Sequence, residues 1–437
     1  MDKPEGLSLQ RRDRQRGVRR DFRMKQSPLY EVHKSLGARF TEMQGWEVPE
    51  HYGDPASEHL AVRSSAGIMD MTHRGKIRVS GKDRTKFLQS ILSQDINKLT
   101  HGTGGHATLL NTKGHMLAYM RIYSDEDSFL IDTEPGEADK IIQILNRYLF
   151  REDVKIEDVT LKYGLVTVQG PNSRRIICRI SGIDIKEMEE CNHLNLTINK
   201  INCKVARTTY TGEEGYNIYT PWDNLKYIWE TIIIPVPLRG QGQPVRHTEP
   251  CAEFDSASVS GSQTMPGREI PKQVRDDRRA VYASEVNPFG FVAYNSLRIE
   301  AGIPLYSIDM DEDTIPIEAN LDHAISYTKG CYVGQETIAR IKFKGHVNRT
   351  LTGFFIETTI IPQKGDRIYK IIEGAEQNIG VITSACFSPT LKVSVALGYL
   401  RIEHNKPGTE VYIHSKSHTI QAVVACIPFY IRKQTVS

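Results

Sequence analysis

Gly75-Lys-Ile-Arg-Val-Ser-Gly81 alternates apolar and polar residues and ends on a turn-forming glycine, the pattern of a half-buried strand. Phe87, Leu88, Ile91 and Leu92 follow at helical spacing and predict an amphipathic helix. Ala107 to Leu110 and Met116 to Tyr123 read as two strands joined by a turn at Thr112-Lys-Gly114. Ile141, Ile142, Leu145, Tyr148 and Leu149 then mark a second helix. The order strand, helix, strand, strand, helix returns more weakly from Tyr163 and predicts an α+β protein with antiparallel sheets.

Working outward, the texture changes twice. Residues 239–285 are rich in Gly, Ser, Pro, Arg and Asp, as in Asp255-Ser-Ala-Ser-Val-Ser-Gly-Ser-Gln263, and are expected to be a disordered insertion. Past residue 346, strand-like runs at Thr350–Ile356, Arg367–Ile372, Ile379–Thr383, Val393–Leu400, Glu410–His414 and Thr419–Ala425 alternate with Gly/Pro turns. Short strands at even spacing predict a small β-barrel over 346–437. The Arg-rich start contains Asp2, Glu5, Asp13 and Asp21 and no apolar stretch, so residues 1–24 are expected to be a disordered basic extension, with Met24 an alternative start, rather than a targeting peptide.

The bulk composition narrows the function classes. The 437 residues are 39% hydrophobic and 25% charged, with a net charge of +3, so neither nucleic acid nor a membrane surface is an expected partner. The longest apolar runs, such as Thr231-Ile-Ile-Ile-Pro-Val-Pro237, are far too short to span a bilayer. Seven scattered cysteines without CxxC spacing fit a reducing compartment: the cytoplasm, or the mitochondrial matrix in a eukaryote. The fourteen histidines include no HExxH and no close His/Cys cluster, so ligand spacing predicts no bound metal.

A series of blocks resembles one family. Ser27-Pro-Leu-Tyr-Glu31, Gln44-Gly-Trp-Glu-Val-Pro49, Glu58-His-Leu-Ala-Val-Arg63, Gly67-Ile-Met-Asp-Met-Thr-His73, Thr209-Tyr-Thr-Gly-Glu-Glu-Gly-Tyr216 and Leu297-Arg-Ile-Glu-Ala-Gly-Ile-Pro-Leu-Tyr306 are similar, in order, to segments of the glycine-cleavage T-protein, an aminomethyltransferase. The resemblance implies a three-domain cloverleaf of T-protein type whose centre holds tetrahydrofolate as cofactor. It implies folate contacts at Arg74, Asn111, Tyr210, Asn217, Tyr294 and Arg298, with residues 25–345 forming the folate-binding part.

The chain also departs from that pattern. The family's carboxylate, in a Gly-Gly-x-x-Asp-Asp context, orients or activates the folate N5; here the stretch reads Lys113-Gly-His-Met-Leu-Ala-Tyr-Met120, and the acidic pair is placed at Leu117 and Ala118. Asn217 stands for a pterin-anchoring Glu, Tyr294 for an Arg and Arg74 for a Met. Lys329-Gly-Cys-Tyr-Val-Gly-Gln-Glu336, followed by Ala339-Arg340, resembles the signature of a sister group, the YgfZ-type folate-binding proteins that help assemble or repair iron–sulfur clusters.

Cys331 is the candidate catalytic thiol, with Lys329 close by to favour the thiolate; the plainer alternative is a small buried hydrophobe. Arg340, Lys342, Lys344 and Arg349 suit a folate tail, a partner protein or a solvated strand face. Glu213 and Glu214 read as a polar loop shaping the pocket, and Arg298 and Glu300 as either cavity groups or a structural ion pair. The leading expectation is a tetrahydrofolate-binding protein that supports iron–sulfur enzymes. An aminomethyltransferase or other folate-dependent one-carbon transferase, and a folate-free scaffold of the same fold, remain alternatives.

Overall fold

The computed structural model describes residues 24–234, 285–358, 360–416 and 418–432. The expected extension over 1–24 and insertion over 239–285 lie outside the described residues, apart from Met24 and Glu285. Three units stand around a common centre.

The first unit is the one predicted from Gly75 onward. Its five strands run Gly104–Leu110, Met116–Ser124, Ser128–Thr133, Gly75–Ser80, Lys155–Asp158 across the sheet, every pair antiparallel. Helices Arg84–Ile91 and Ala138–Arg147 cover one face. Strand alternation sends Ile77, Val79, Ala107, Leu109, Met120, Ile122, Phe129 and Ile131 into the core beneath them. The second unit repeats the plan with strands His193–Ile198, Ile201–Arg207, Gly215–Pro221, Tyr163–Gln169 and Gly67–Asp70, and a short parallel strand Asn287–Pro288 at the edge. Helices Ser173–Ser181 and Leu225–Ile233 cover its outer face, where Trp229 is buried with Ile68, Val166, Val168 and Ile218.

Both sheets therefore turn their helix-free faces toward each other. A third apolar cluster lies between them: Met69, Met71, Tyr123, Leu130, Leu165, Tyr210 and Tyr219, joined by Tyr294 and Leu297 of helix Phe291–Glu300. The third unit is a closed six-stranded barrel ordered Arg349–Ile356, Val393–Arg401, Ala375–Ser388, Arg367–Ile372, Glu410–Ser415, His418–Ala425. The six expected runs are its six strands. Ile379–Thr383 proves to be the middle of a 14-residue strand that shifts register between Ile382 and Ser384. Its apolar–polar alternation is obscured by that shift.

Helix Phe291–Glu300 ties the units together. Arg298 pairs with Asp309 at 2.7 Å and donates to the Ser384 hydroxyl of the barrel at 2.7 Å. Glu300 accepts from Ser388 of the barrel at 2.5 Å and pairs with Arg63 at 2.8 Å. The run at 335–344 is a helix, Gln335–Lys344, rather than a strand face: Lys342 pairs with Asp322, and Arg340 with Glu336 one turn earlier.

Candidate functional site

Register sets the site. His106 lies opposite Arg121, Arg121 opposite Asp132, and Asp132 opposite Lys76. These four residues form one row across the first sheet, on the face turned toward the second. The second sheet answers with Asn217 and Tyr219 on the strand Gly215–Pro221. Asp132 accepts from the Tyr219 hydroxyl at 2.5 Å through one oxygen, and its other oxygen faces the Arg74 guanidinium at 2.5 and 2.6 Å. Arg74 also holds Glu134 at 2.8 Å. The Arg121 guanidinium lies 4.5 Å from the Tyr210 ring centre, and the Tyr210 hydroxyl accepts from Asn217 at 3.0 Å. Tyr294 closes the group, its ring centre 6.0 Å from that of Tyr210.

The electrostatics follow from burial. Desolvation works against an ionised Asp132, but Arg74 and Arg121 outweigh it and hold the carboxyl below its usual range. Burial, reinforced by Asp132, pushes the Tyr219 phenol well up, so this group stays protonated and donates. Burial draws Lys76 down to about 8, while its ammonium donates to the carbonyls of Thr72 and Arg74 at 2.9 Å each. Burial likewise brings His73 down to about 4, so it is neutral near pH 7.

Two buried atoms in the cluster have no hydrogen-bond partner among the described residues: Nε of Arg121, a donor, and Oδ1 of Asn217, an acceptor. Leaving such groups unpaired costs about 1–3 kcal/mol each. A donor and an acceptor beside two tyrosine rings suit a flat heterocycle carrying both ring nitrogens and N–H groups, such as a pteridine. A cavity of about 80 Å³ borders Arg74, Glu134 and Tyr294. That is room for two or three waters, so a pteridine on this side requires Tyr294 or its neighbours to move. A far larger cleft of about 840 Å³ opens between the sheets and reaches the cluster at Tyr219, with Arg78, Asp125, Glu157 and Lys204 on its walls.

Arg74, Tyr210, Asn217 and Tyr294 are thus brought together at the centre. Asn111 lies apart from them, and Arg298, one turn beyond Tyr294 on the same helix, is held by other partners. The Asn111 carboxamide accepts from the amides of Lys113 and His115 and shapes the turn between two strands. Arg298 is engaged by Asp309, Ser384 and Asn295. Cys331 is exposed, in the segment before helix Gln335–Lys344, and so is not the small buried hydrophobe of the plainer reading. The Lys329 ammonium does not attend it: three backbone carbonyls, of Gln89, Leu92 and Gln94, accept from it at 2.6 to 2.9 Å. Glu213 pairs with Arg63, and Glu214 with Arg174.

One placement needs correcting. Counted from Gly114, the Gly-Gly-x-x-Asp-Asp spacing falls on Ala118 and Tyr119, not on Leu117 and Ala118. The register shifts here, Leu109 facing Ala118 but Leu110 facing Met116, so Leu117 is the extra residue of a bulge. Leu117 and Ala118 both pack toward the helix-covered core, whereas Met116 and Tyr119 turn to the other side. Of the two aligned positions, only Tyr119 faces the centre. Sequence reasoning also missed Arg121, Asp132, Glu134 and Tyr219. The one available signal was an acid inside the apolar run Ser128-Phe-Leu-Ile-Asp-Thr133, where an unpaired charge is too costly to bury.

Comparison with known proteins places this geometry. Residues 29–235 match the family described as the GCVT N-terminal domain, and residues 349–430 match the glycine cleavage T-protein C-terminal barrel domain. The aminomethyltransferase of Halothermothrix orenii is 28% identical over 407 residues, covering 93% of this chain and 100% of that protein. That of Rubrobacter xylanophilus is 29% identical over 412 residues, 94% of this chain and 95% of its own length. The crystal structure of glycine cleavage system aminomethyltransferase T from Bartonella henselae superposes with a TM-score of 0.75 at 25% identity, over 93% of this chain and 98% of that one.

Proposed function

Because the chain belongs to the glycine cleavage T-protein superfamily, we propose that it binds a reduced folate at the central cluster and serves folate-dependent one-carbon transfer of the aminomethyl type. The observation that carries this reading is the pair of unpartnered buried atoms, Nε of Arg121 and Oδ1 of Asn217, beside Tyr210. Asn217 and Arg121 would hold the edge of the pteridine, and the rings of Tyr210 and Tyr294 would flank it. When bound, tetrahydrofolate supplies a nucleophilic N5. Asp132 stays ionised, fixed between Arg74 and Tyr219, and gives the pocket a negative charge at a set position. Purified protein is tested with an aminomethylated lipoyl carrier and tetrahydrofolate. Turnover that falls at least tenfold in Asn217→Ala supports the reading; binding of folate with no transfer ends the transferase part of it.

A second reading, support of iron–sulfur enzymes, is favoured by one feature. The run Lys329–Glu336 puts Cys331 in an exposed position, while Leu117, Ala118 and Tyr119 offer no carboxylate. On that reading folate binds without transfer, and Cys331→Ser abolishes iron–sulfur enzyme activity in a complemented strain; unchanged activity rules it out.

A further inference from the structure

We propose that His106, Glu190 and Cys191 form a site for one divalent transition-metal ion of the zinc type, beside the central cluster. One ligand atom from each lies within 4.8 Å of the other two. His106 comes from the strand Gly104–Leu110, and Glu190 and Cys191 from the turn that precedes the strand His193–Ile198. Sequence spacing predicts no metal because these ligands meet only after the two sheets pack face to face.

The surroundings prepare each ligand. The Tyr119 hydroxyl touches Nδ1 of His106 at 2.6 Å and Nε2 of His323 at 3.2 Å. A hydroxyl that donates to His323 accepts from Nδ1–H of His106. That tautomer turns the Nε2 lone pair of His106 toward Glu190, 3.8 Å away. The amide of Thr209 donates to both Glu190 oxygens at 3.2 and 3.3 Å and orients the carboxylate. Cys191 is buried and held in the left-handed region at φ +66°, a conformation that a non-glycine residue adopts only under constraint.

The ligand chemistry fits. An imidazole, a carboxylate and a thiolate are the three zinc donor types. Bond lengths of roughly 2.0–2.3 Å put tetrahedral ligands about 3.3–3.8 Å apart. The 3.8 Å between His106 and Glu190 already falls in that range, and the remaining separations, up to 4.8 Å, would close by side-chain rotation of the ligands. A divalent cation neutralises the thiolate and the carboxylate together, so the buried charge does not increase. His106 and Glu190 leave one side open to solvent, the arrangement of three protein ligands plus one exchangeable position. Arg121, opposite His106 in the sheet, separates this position from Tyr210.

Full-length protein stripped with EDTA is titrated with Co²⁺ and then Zn²⁺, followed by absorption spectroscopy and metal analysis. One equivalent of Co²⁺ giving a thiolate charge-transfer band, displaced by Zn²⁺, is expected. Cys191→Ser and His106→Ala should lose the band. Tyr119→Phe should weaken affinity by about 10- to 100-fold, the usual effect of losing a partner that orients a ligand. Cys203→Ser and Cys331→Ser should keep it. Glu190→Gln, at a partly exposed position, checks that lost binding is not lost folding: its circular dichroism should match the wild type while tight binding disappears. No stoichiometric uptake by the wild type, or a band that survives Cys191→Ser, overturns the site.

Discussion

Glu300 illustrates how single residues carry the architecture. Its buried carboxylate meets Ser388 of the barrel, His59 and Arg63, so one side chain touches two units. Burial alone would raise its pKa. The His59 hydrogen bond and charge, with Ser388 and Arg63, outweigh that and bring it from 4.5 to about 2. A carboxyl with a lower pKa folded than unfolded stabilises the fold fully above its unfolded value, and the gain is lost as pH falls through the folded one. The shift corresponds to about 3 kcal/mol. Wild type should exceed Glu300→Gln in urea-unfolding free energy by roughly that amount at pH 7, with the gap closing between pH 4.5 and 2; a pH-independent gap would contradict the assignment. At this scale the sequence was only partly legible. Arg298 and Glu300 stood out within their block, but whether they faced a cavity or each other was open, and each in fact has other partners, Asp309 and Arg63.

Among elements, strand Met116–Ser124 carries the most consequence. Its bulge at Leu117 breaks the alternation, sending Leu117 and Ala118 to the helix-covered core and Tyr119 to the central face. Ala118→Asp should therefore bury an unpaired charge and lower stability by several kcal/mol. Tyr119→Asp sets its carboxylate on the central side and should fold with a smaller loss. Chemical denaturation of both variants decides the matter: equal destabilisation, or a milder effect at Ala118, would refute this facing. Strands with clean alternation, such as Gly75–Ser80, could be read directly from sequence. Bulged strands could be recognised as strands, but not which face their residues take beyond the bulge, because one inserted residue shifts the period of two. Helix Gln335–Lys344 was missed for a different reason: Ile338 is its one buried residue, so it has little apolar stripe to detect.

At the level of the whole molecule, the barrel followed from turn spacing and the antiparallel α+β character from the order of elements, whereas the three-unit plan followed only from the family resemblance. The centre did not follow. Its row of His106, Arg121, Asp132 and Lys76 comes from four strands brought into register, and no local window contains it. Arg74, Tyr210, Asn217 and Tyr294 were singled out only through family resemblance, and the fold brings these four together at the centre. The central claim is that this cluster takes a reduced folate. Calorimetric titration of tetrahydrofolate into wild type and Asn217→Ala tests it most directly. Saturable binding to one site, weakened at least tenfold in Asn217→Ala, is the expected result; no binding to the wild type, or equal binding to both, would contradict the account.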